Sequence, residues 1–277
     1  MEGIMAKRNN LIIFSITGIL FLILYFPTFI WMWERWMAKD SYYGHGILVP
    51  FISGFIAWQI FKNKKSAIEK DNPSNLGIAF IALGLATHLI SAWMRVYFSS
   101  GFSMLFTISG LILYLKGRQT LKTLIFPILF LIFMLPLPLV AVANISFKMK
   151  ILAANISTFL VNKIGIPAKV SGSMIYMRHS NLMVEDPCSG LRSLISLLAL
   201  GSLFSHYLKA SHLRKVVLLI ASVPLALMSN ITRITFLCFV SEVYGPEHAE
   251  GLVHDTAGMM VFVLAFLGML VVSKILE

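Results

Sequence analysis

Acidic residues are scarce in this 277-residue chain: 12 Asp and Glu stand against 23 Lys and Arg, and charged residues of both signs reach only 13%. Hydrophobic residues make up 58%, with a mean hydropathy of +0.83. No water-soluble core of this length hides so much apolar surface, which excludes soluble domains and makes a bilayer the natural solvent. Two cysteines, Cys188 and Cys238, are too few for a disulfide framework. His88, His179, His206, His212 and His248 form no metal-ligand spacing such as H-E-x-x-H, so neither a zinc site nor a cofactor is expected. Internal repeats, coiled-coil heptads and low-complexity tracts are also missing.

What is there is a series of long apolar runs, each able to cross about 30 Å of hydrocarbon. They fall at about 11–33, 45–61, 76–94, 98–115, 121–142, 189–208, 216–240 and 257–275. The chain therefore reads as an all-α polytopic membrane protein with about eight transmembrane helices in a single transmembrane domain, 1–277. The first run follows Lys7 and Arg8. It is too long for a signal-peptide core and leads into Trp33-Glu34-Arg35-Trp36, so it is expected to remain as an anchor. With the N-terminus inside, the inner segments hold Lys7, Arg8, Lys62, Lys64, Lys65, Lys70, Lys116, Arg118, Lys122, Lys209, Arg214, Lys215 and Lys274. Only Glu2, Glu69, Asp71 and Glu277 oppose them, and the outer segments are nearly neutral. The positive-inside rule then predicts both termini in the cytoplasm of a multi-pass inner-membrane protein. It also removes nucleic acid as the explanation of the +11 net charge, which is spread over short segments instead of one patch.

Residues 144–187 are expected outside. In 144–163, Ile145, Met149, Leu152, Ile156 and Phe159 share one helical face, while Asn144, Lys148, Asn155, Thr158 and Asn162 line another. This is the pattern of an amphipathic helix lying in the interface, with a plain packing helix as the alternative. Residues 168–177 are rich in β-branched and aromatic side chains. A turn at Arg178-His179-Ser180-Asn181 and the run Leu182-Met183-Val184 complete a short extracytoplasmic β-hairpin.

Reactive groups at membrane depth are costly and mark candidate sites. Glu185-Asp186-Pro187-Cys188-Ser189-Gly190-Leu191-Arg192 lies where the outer segment meets span six. Pro187 and Ser189 signal a helix start there. Cys188 then sits beside the positive end of a helix dipole, with Arg192 one turn on along the same face, and both favour thiolate over thiol. A buried cysteine at a helix start is the bland alternative. Asn230-Ile231-Thr232-Arg233 lies within span seven, Arg233 roughly 10 Å below Val240 at about 1.5 Å per residue. An arginine there needs an anionic partner: a thiolate, an oxyanion, a lipid phosphate, a substrate carboxylate, or a structural pair with Glu185 or Asp186.

His254-Asp255-Thr256-Ala257-Gly258 opens span eight from the outer side, and Tyr43-Gly44-His45-Gly46 opens span two from that side. Cys188, Arg233 and His254 thus come from three spans yet fall at one membrane face. Thiol, imidazole and guanidinium are the parts of a cysteine acyl-transfer centre. In such a centre the thiolate attacks a peptide carbonyl, the imidazole protonates the leaving amine, and the arginine steadies the oxyanion or thiolate. Arg192, Asn230, His45 and Asp255 are candidate supporting or substrate-binding groups. Cys238, among Phe236, Leu237, Phe239 and Val240, reads as core filler, and a Cys188–Cys238 disulfide would consume the nucleophile.

With these residues in hand, the chain resembles the exosortase family, integral-membrane cysteine transpeptidases related to archaeosortases. The resemblance runs nearly full length. It begins at Tyr43-Gly44-His45-Gly46-Ile47-Leu48-Val49-Pro50 and passes through Leu135-Pro136-Leu137-Pro138 to Cys188-Ser189-Gly190-Leu191-Arg192-Ser193. It continues through Asn230-Ile231-Thr232-Arg233-Ile234 to His254-Asp255-Thr256-Ala257-Gly258. The cysteine block is the specific one; the others gain weight from their order and spacing.

The resemblance implies Cys188 as nucleophile, Arg233 as essential arginine and His254 as acid/base, archaeal relatives tending to carry arginine at that last place. It also implies substrates: exported proteins with a C-terminal sorting signal of short motif, transmembrane helix and basic cluster, as in PEP-CTERM proteins. Any soluble C-terminal domain of the kind some relatives carry is expected on a separate protein. The acyl-enzyme can pass to an amine or to water, so an intramembrane cysteine protease is the first alternative. The second is a non-catalytic exopolysaccharide-associated transporter or scaffold in which Arg233 binds an anionic head group. Membrane lipids are expected partners in every case.

Overall fold

A chain this apolar gains little by hiding hydrophobic side chains from lipid, so its helices must be held by small residues and polar contacts. The computed structural model describes residues 12, 15–39, 41–63, 72–249 and 251–277, without the side chains of 186, 187, 252, 254 and 255. Its packing divides the chain into two units: Met1–Lys39 with Gly44–Pro136, and Asp40–Tyr43 with Leu137–Glu277.

The first unit holds α1 (Ser15–Leu24), α2 (Phe26–Met37), a 3-10 turn Gly44–Ile47, α3 (Leu48–Asn63), α4 (Leu76–Trp93), α5 (Tyr97–Lys116) and α6 (Arg118–Phe130) with a 3-10 extension Leu131–Met134. The expected first span is bent by 63° between α1 and α2. Pro27 opens α2, where its missing N–H costs nothing, and buried Tyr25 sits at the corner. Tyr25 Oη lies 3.0 Å from Ser103 Oγ and 2.8 Å from Thr107 Oγ1. Thr28 and His88 both reach Ser100 Oγ, at 2.6 and 2.8 Å. Helices α4 and α5 approach at their glycines. A Cβ on Gly110 would stand 2.6 Å from the backbone nitrogen of Ile81, so no larger residue fits without parting the helices.

The second unit holds α7 (Leu139–Lys163), strands β1 (Lys169–Ser171), β2 (Met174–Tyr176) and β3 (Asn181–Met183), a 3-10 turn Asp186–Ser189, α8 (Leu191–Tyr207), α9 (His212–Tyr244), α10 (Pro246–Ala249) and α11 (Leu252–Leu276). The strands form an antiparallel meander, β1-β2-β3, with Ser171 opposite Met174 and Ile175 opposite Leu182. The expected hairpin is there with one more turn than anticipated: Gly172, at φ +61°, closes β1 onto β2. Val170, Ile175 and Leu182 turn one face of the sheet to a core of Ala153, Ala154 and Val161 from α7, Ile234 and Cys238 from α9, and Val184 just after β3. Glu242 near the end of α9 accepts from the backbone N–H of His179 at 3.0 Å and contacts His179 Nδ1 at 2.9 Å, fixing the β2–β3 turn.

Among the described residues six helices are long and apolar enough to cross a membrane, or seven if α1 and α2 make one span. The all-α polytopic architecture holds, but the spans divide differently in two places. The expected run 121–142 stops as helix at Met134, because Pro136 and Pro138 cannot continue it. Leu139–Val142 begin α7 instead. The stretch read as an interfacial helix, 144–163, belongs to this 25-residue helix, which is itself apolar enough to span. Some of its polar residues bond within the helix, Asn155 Nδ2 donating to Ile151 O and Thr158 Oγ1 to Ala154 O, while Asn162 also pairs with the backbone of Ala168 and Ser157 Oγ donates to Ile231 O. Expected span six, 189–208, is the 17-residue α8, at the short limit for crossing. Large apolar side chains such as Phe51, Trp93, Val140 and Ile275 are exposed, as lipid contact requires.

Candidate active site

Cys188 does not sit in the first turn of a helix. It lies in the 3-10 turn Asp186–Ser189, where its N–H donates to Glu185 O at 3.1 Å, and Gly190 then separates it from α8. Gly190 has φ +81°, a conformation costly to residues with a Cβ. A Cβ there would also stand 2.8 Å from Asn230 Cγ. This break corrects the expected pairing with Arg192. Arg192 is exposed on α8, whereas Cys188 is buried before the break, so the two do not share a helical face.

Asn230 is what holds the cysteine turn. Its Nδ2 donates to Cys188 O at 3.0 Å, and the amide is itself buried. Asn230, Ile234, Leu237 and Ser241 follow the i, i+4, i+7, i+11 spacing of one helix face. Ile234, Leu237 and Ser241 of that face form one wall of a cavity of about 310 Å³, with Cys188, residues 181–185, Pro246, Ala249 and Gly251 completing the lining. Ser241 and the strand residues 181–183 were not among the candidates read from sequence; the helical spacing from Asn230 is the signal that could have found Ser241.

Arg233 lies on α9 three residues beyond Asn230, half-buried, and packs on α11. A Cβ on Gly258 would stand 3.0 Å from both Cζ and Nη2 of Arg233, so the glycine makes room for the guanidinium. Ser229 Oγ, in the same turn of α9, donates to Val261 O at 2.6 Å and ties the two helices together. His254 and Asp255 occupy the first turn of α11, His254 four positions before Gly258, and their side chains lie outside the described residues. His45 belongs to the first unit, hydrogen-bonded to the backbone of Phe133 in the turn Gly44–Ile47, and Gly46 packs on the Trp36 indole there.

Cys188 and Cys238 are not joined in a disulfide, and both are buried in one apolar cluster. Among the described residues no group of three or more His, Cys, Asp or Glu side chains gathers that could hold a metal ion.

A multi-pass membrane bundle with a buried thiol at a cavity, its turn pinned by an intramembrane asparagine, defines the class. The chain belongs to the transmembrane exosortase family, whose model matches residues 31–271. No curated protein and no solved structure matches it.

Proposed function

We propose that this exosortase-family protein is a cysteine transpeptidase that removes the C-terminal sorting signal of exported proteins and joins them to an amine. Cys188 Sγ, as thiolate, attacks the scissile carbonyl carbon, and the C–N bond breaks as His254 gives a proton to the leaving amine. Arg233 faces the negative charge that passes from sulfur to oxygen and back. The acceptor amine then attacks the thioester, loses a proton to His254 and restores the thiolate. Substrates present a PEP-CTERM-like motif at the outer face of the inner membrane, followed by a membrane helix and a basic cytoplasmic cluster. Both termini of the enzyme lie in the cytoplasm, as the distribution of basic residues argues.

The observation that carries this reading is the pinning of Cys188 O by Asn230, one turn from the Arg233 that packs against Gly258. It ties the cysteine, arginine and histidine segments into one neighbourhood of the second unit. Exclusion of water from a buried thiol favours an amine over hydrolysis. The test is coexpression with a tagged reporter bearing a PEP-CTERM-type signal, comparing wild type, Cys188→Ala and Cys188→Ser at matched levels. Mass spectrometry then reads the new C-terminus. Processing lost in both variants, with an added amine-linked mass in the wild type, supports transpeptidation; a free carboxylate means hydrolysis. Processing by Cys188→Ala removes the thiol from the mechanism.

A further inference from the structure

A thioester forms only where the substrate carbonyl is held at the thiol, and the last strand of the sheet ends at Met183, five residues before Cys188. β3 is the last strand of the meander, and its sequence runs from Asn181 through Glu185 into the turn that carries Cys188. Residues 181–185 all line the 310 Å³ cavity with Cys188. Side chains alternate between the two faces of a strand, so a cavity touching five consecutive residues runs along the strand's edge and not against either face.

The hydrogen-bond register says what that edge offers. Ser180 O accepts from Met177 N, and Val184 N donates to Ser173 O, both at 2.9 Å. Ile175 pairs with Leu182 midway between them. Residues 180, 182 and 184 therefore spend their backbone groups on β2. By the alternation of an antiparallel ladder, the N–H and C=O of Asn181 and Met183 point the other way, to the cavity. The edge is also held firm. Val184 is buried in the core, and Glu242 clamps the turn that precedes β3.

We propose that, on the transpeptidase reading above, the substrate binds as an added strand on β3. An extended polypeptide, in this proposal, pairs its backbone with Asn181 and Met183 and so delivers its scissile carbonyl to Cys188. This mode of recognition draws affinity from main-chain hydrogen bonds and leaves specificity to alternate side chains. The two walls that face β3 across the cavity, Ile234-Leu237-Ser241 of α9 and Pro246-Ala249 of α10, are placed to read those side chains.

Two enzyme variants separate backbone from side chain. Met183→Pro removes the outward N–H while sparing the bonds to β2, and Met183→Ala keeps the N–H. Processing of the coexpressed reporter should fall at least tenfold in Met183→Pro and less than threefold in Met183→Ala, with unchanged methanethiosulfonate labelling of Cys188 in both. Normal processing by Met183→Pro overturns the proposal. Should Met183→Pro alter labelling or protein level, a proline scan of six residues before the reporter's cleavage point decides. Loss at every second position is expected, and loss without that period overturns strand addition. Failure of the catalytic reading is visible separately. In Cys188→Ala protein, amides 181 and 183 should gain protection from hydrogen exchange on adding the reporter's C-terminal peptide, whether or not wild type cuts it.

Discussion

Asn230, in the middle of a membrane-spanning helix, donates its side-chain amide to the backbone carbonyl of Cys188. The cysteine's turn is thereby fastened to α9 as well as to the helix it precedes, whose Leu191 N–H donates to Ser189 Oγ. Asn230→Ala leaves that carbonyl without its donor at a cost of about 1–3 kcal/mol. Asn230→Asp does worse, since an ionised carboxylate only accepts and would face the carbonyl oxygen. We expect processing to fall in the order wild type, Ala, Asp, read by reporter cleavage at matched protein levels. Equal activity of Asp and wild type would show the bond to be dispensable.

Gly258 sets where Arg233 can lie. Gly258→Ala puts a methyl group 3.0 Å from the guanidinium carbon and forces it to move. Gly268→Ala, ten residues on in the same helix, meets only the end of the Leu225 side chain, at 3.1 Å. At similar thermal stability, Gly258→Ala should lose at least tenfold in processing and Gly268→Ala less than twofold. A comparable loss in both would mean that helix packing, and not the arginine, is being measured.

Glu242 fastens the sheet to α9. Glu242→Ala removes the acceptor for His179 N–H and the contact with Ser180 Oγ, releasing the β2–β3 turn. Arg178 is exposed in that turn, so trypsin should cut after it several times faster in the variant than in wild type. Cleavage at an unchanged rate would mean that the strands alone hold the turn.

In the first unit, Tyr25→Phe deletes the hydroxyl that contacts Ser103 and Thr107. Polar contacts between membrane helices contribute about 0.6–1.7 kcal/mol. Thermal unfolding in detergent should show a loss of that order with the fold intact. An unchanged midpoint would assign the corner to apolar packing of the ring.

The apolar runs made most of the helical architecture legible, and composition decided the solvent. The run 121–142, however, was read across Pro136 and Pro138, where the structure divides it between two helices. The start of the helix over 144–163 was not legible: it begins at Leu139, inside the apolar run 121–142, and Asn155 and Asn162 each donate a side-chain amide to a carbonyl of that helix. At the cysteine, Pro187 and Ser189 did signal a helix, but Gly190 in a left-handed conformation postpones it to Leu191, and sequence spacing cannot show a φ angle. The grouping of Cys188 with Asn230 was foreshadowed by membrane depth. The sheet edge beside the thiol was not, because backbone hydrogen-bond direction leaves no mark on side-chain chemistry.

The 33 residues of α9 span about 50 Å, well beyond about 30 Å of hydrocarbon. Arg233 comes about 30 Å along it from His212, and the basic first turn is tied at that end to the last carbonyls of α11 through Arg214. One continuous helix, with Pro224 in its interior, thus links the charged end to the cysteine turn, as a ruler laid across the bilayer. On the transpeptidase reading, the bond to be cut is then counted outward from the membrane surface, not along the substrate's sequence. A sorting signal needs few specified residues when depth supplies the address.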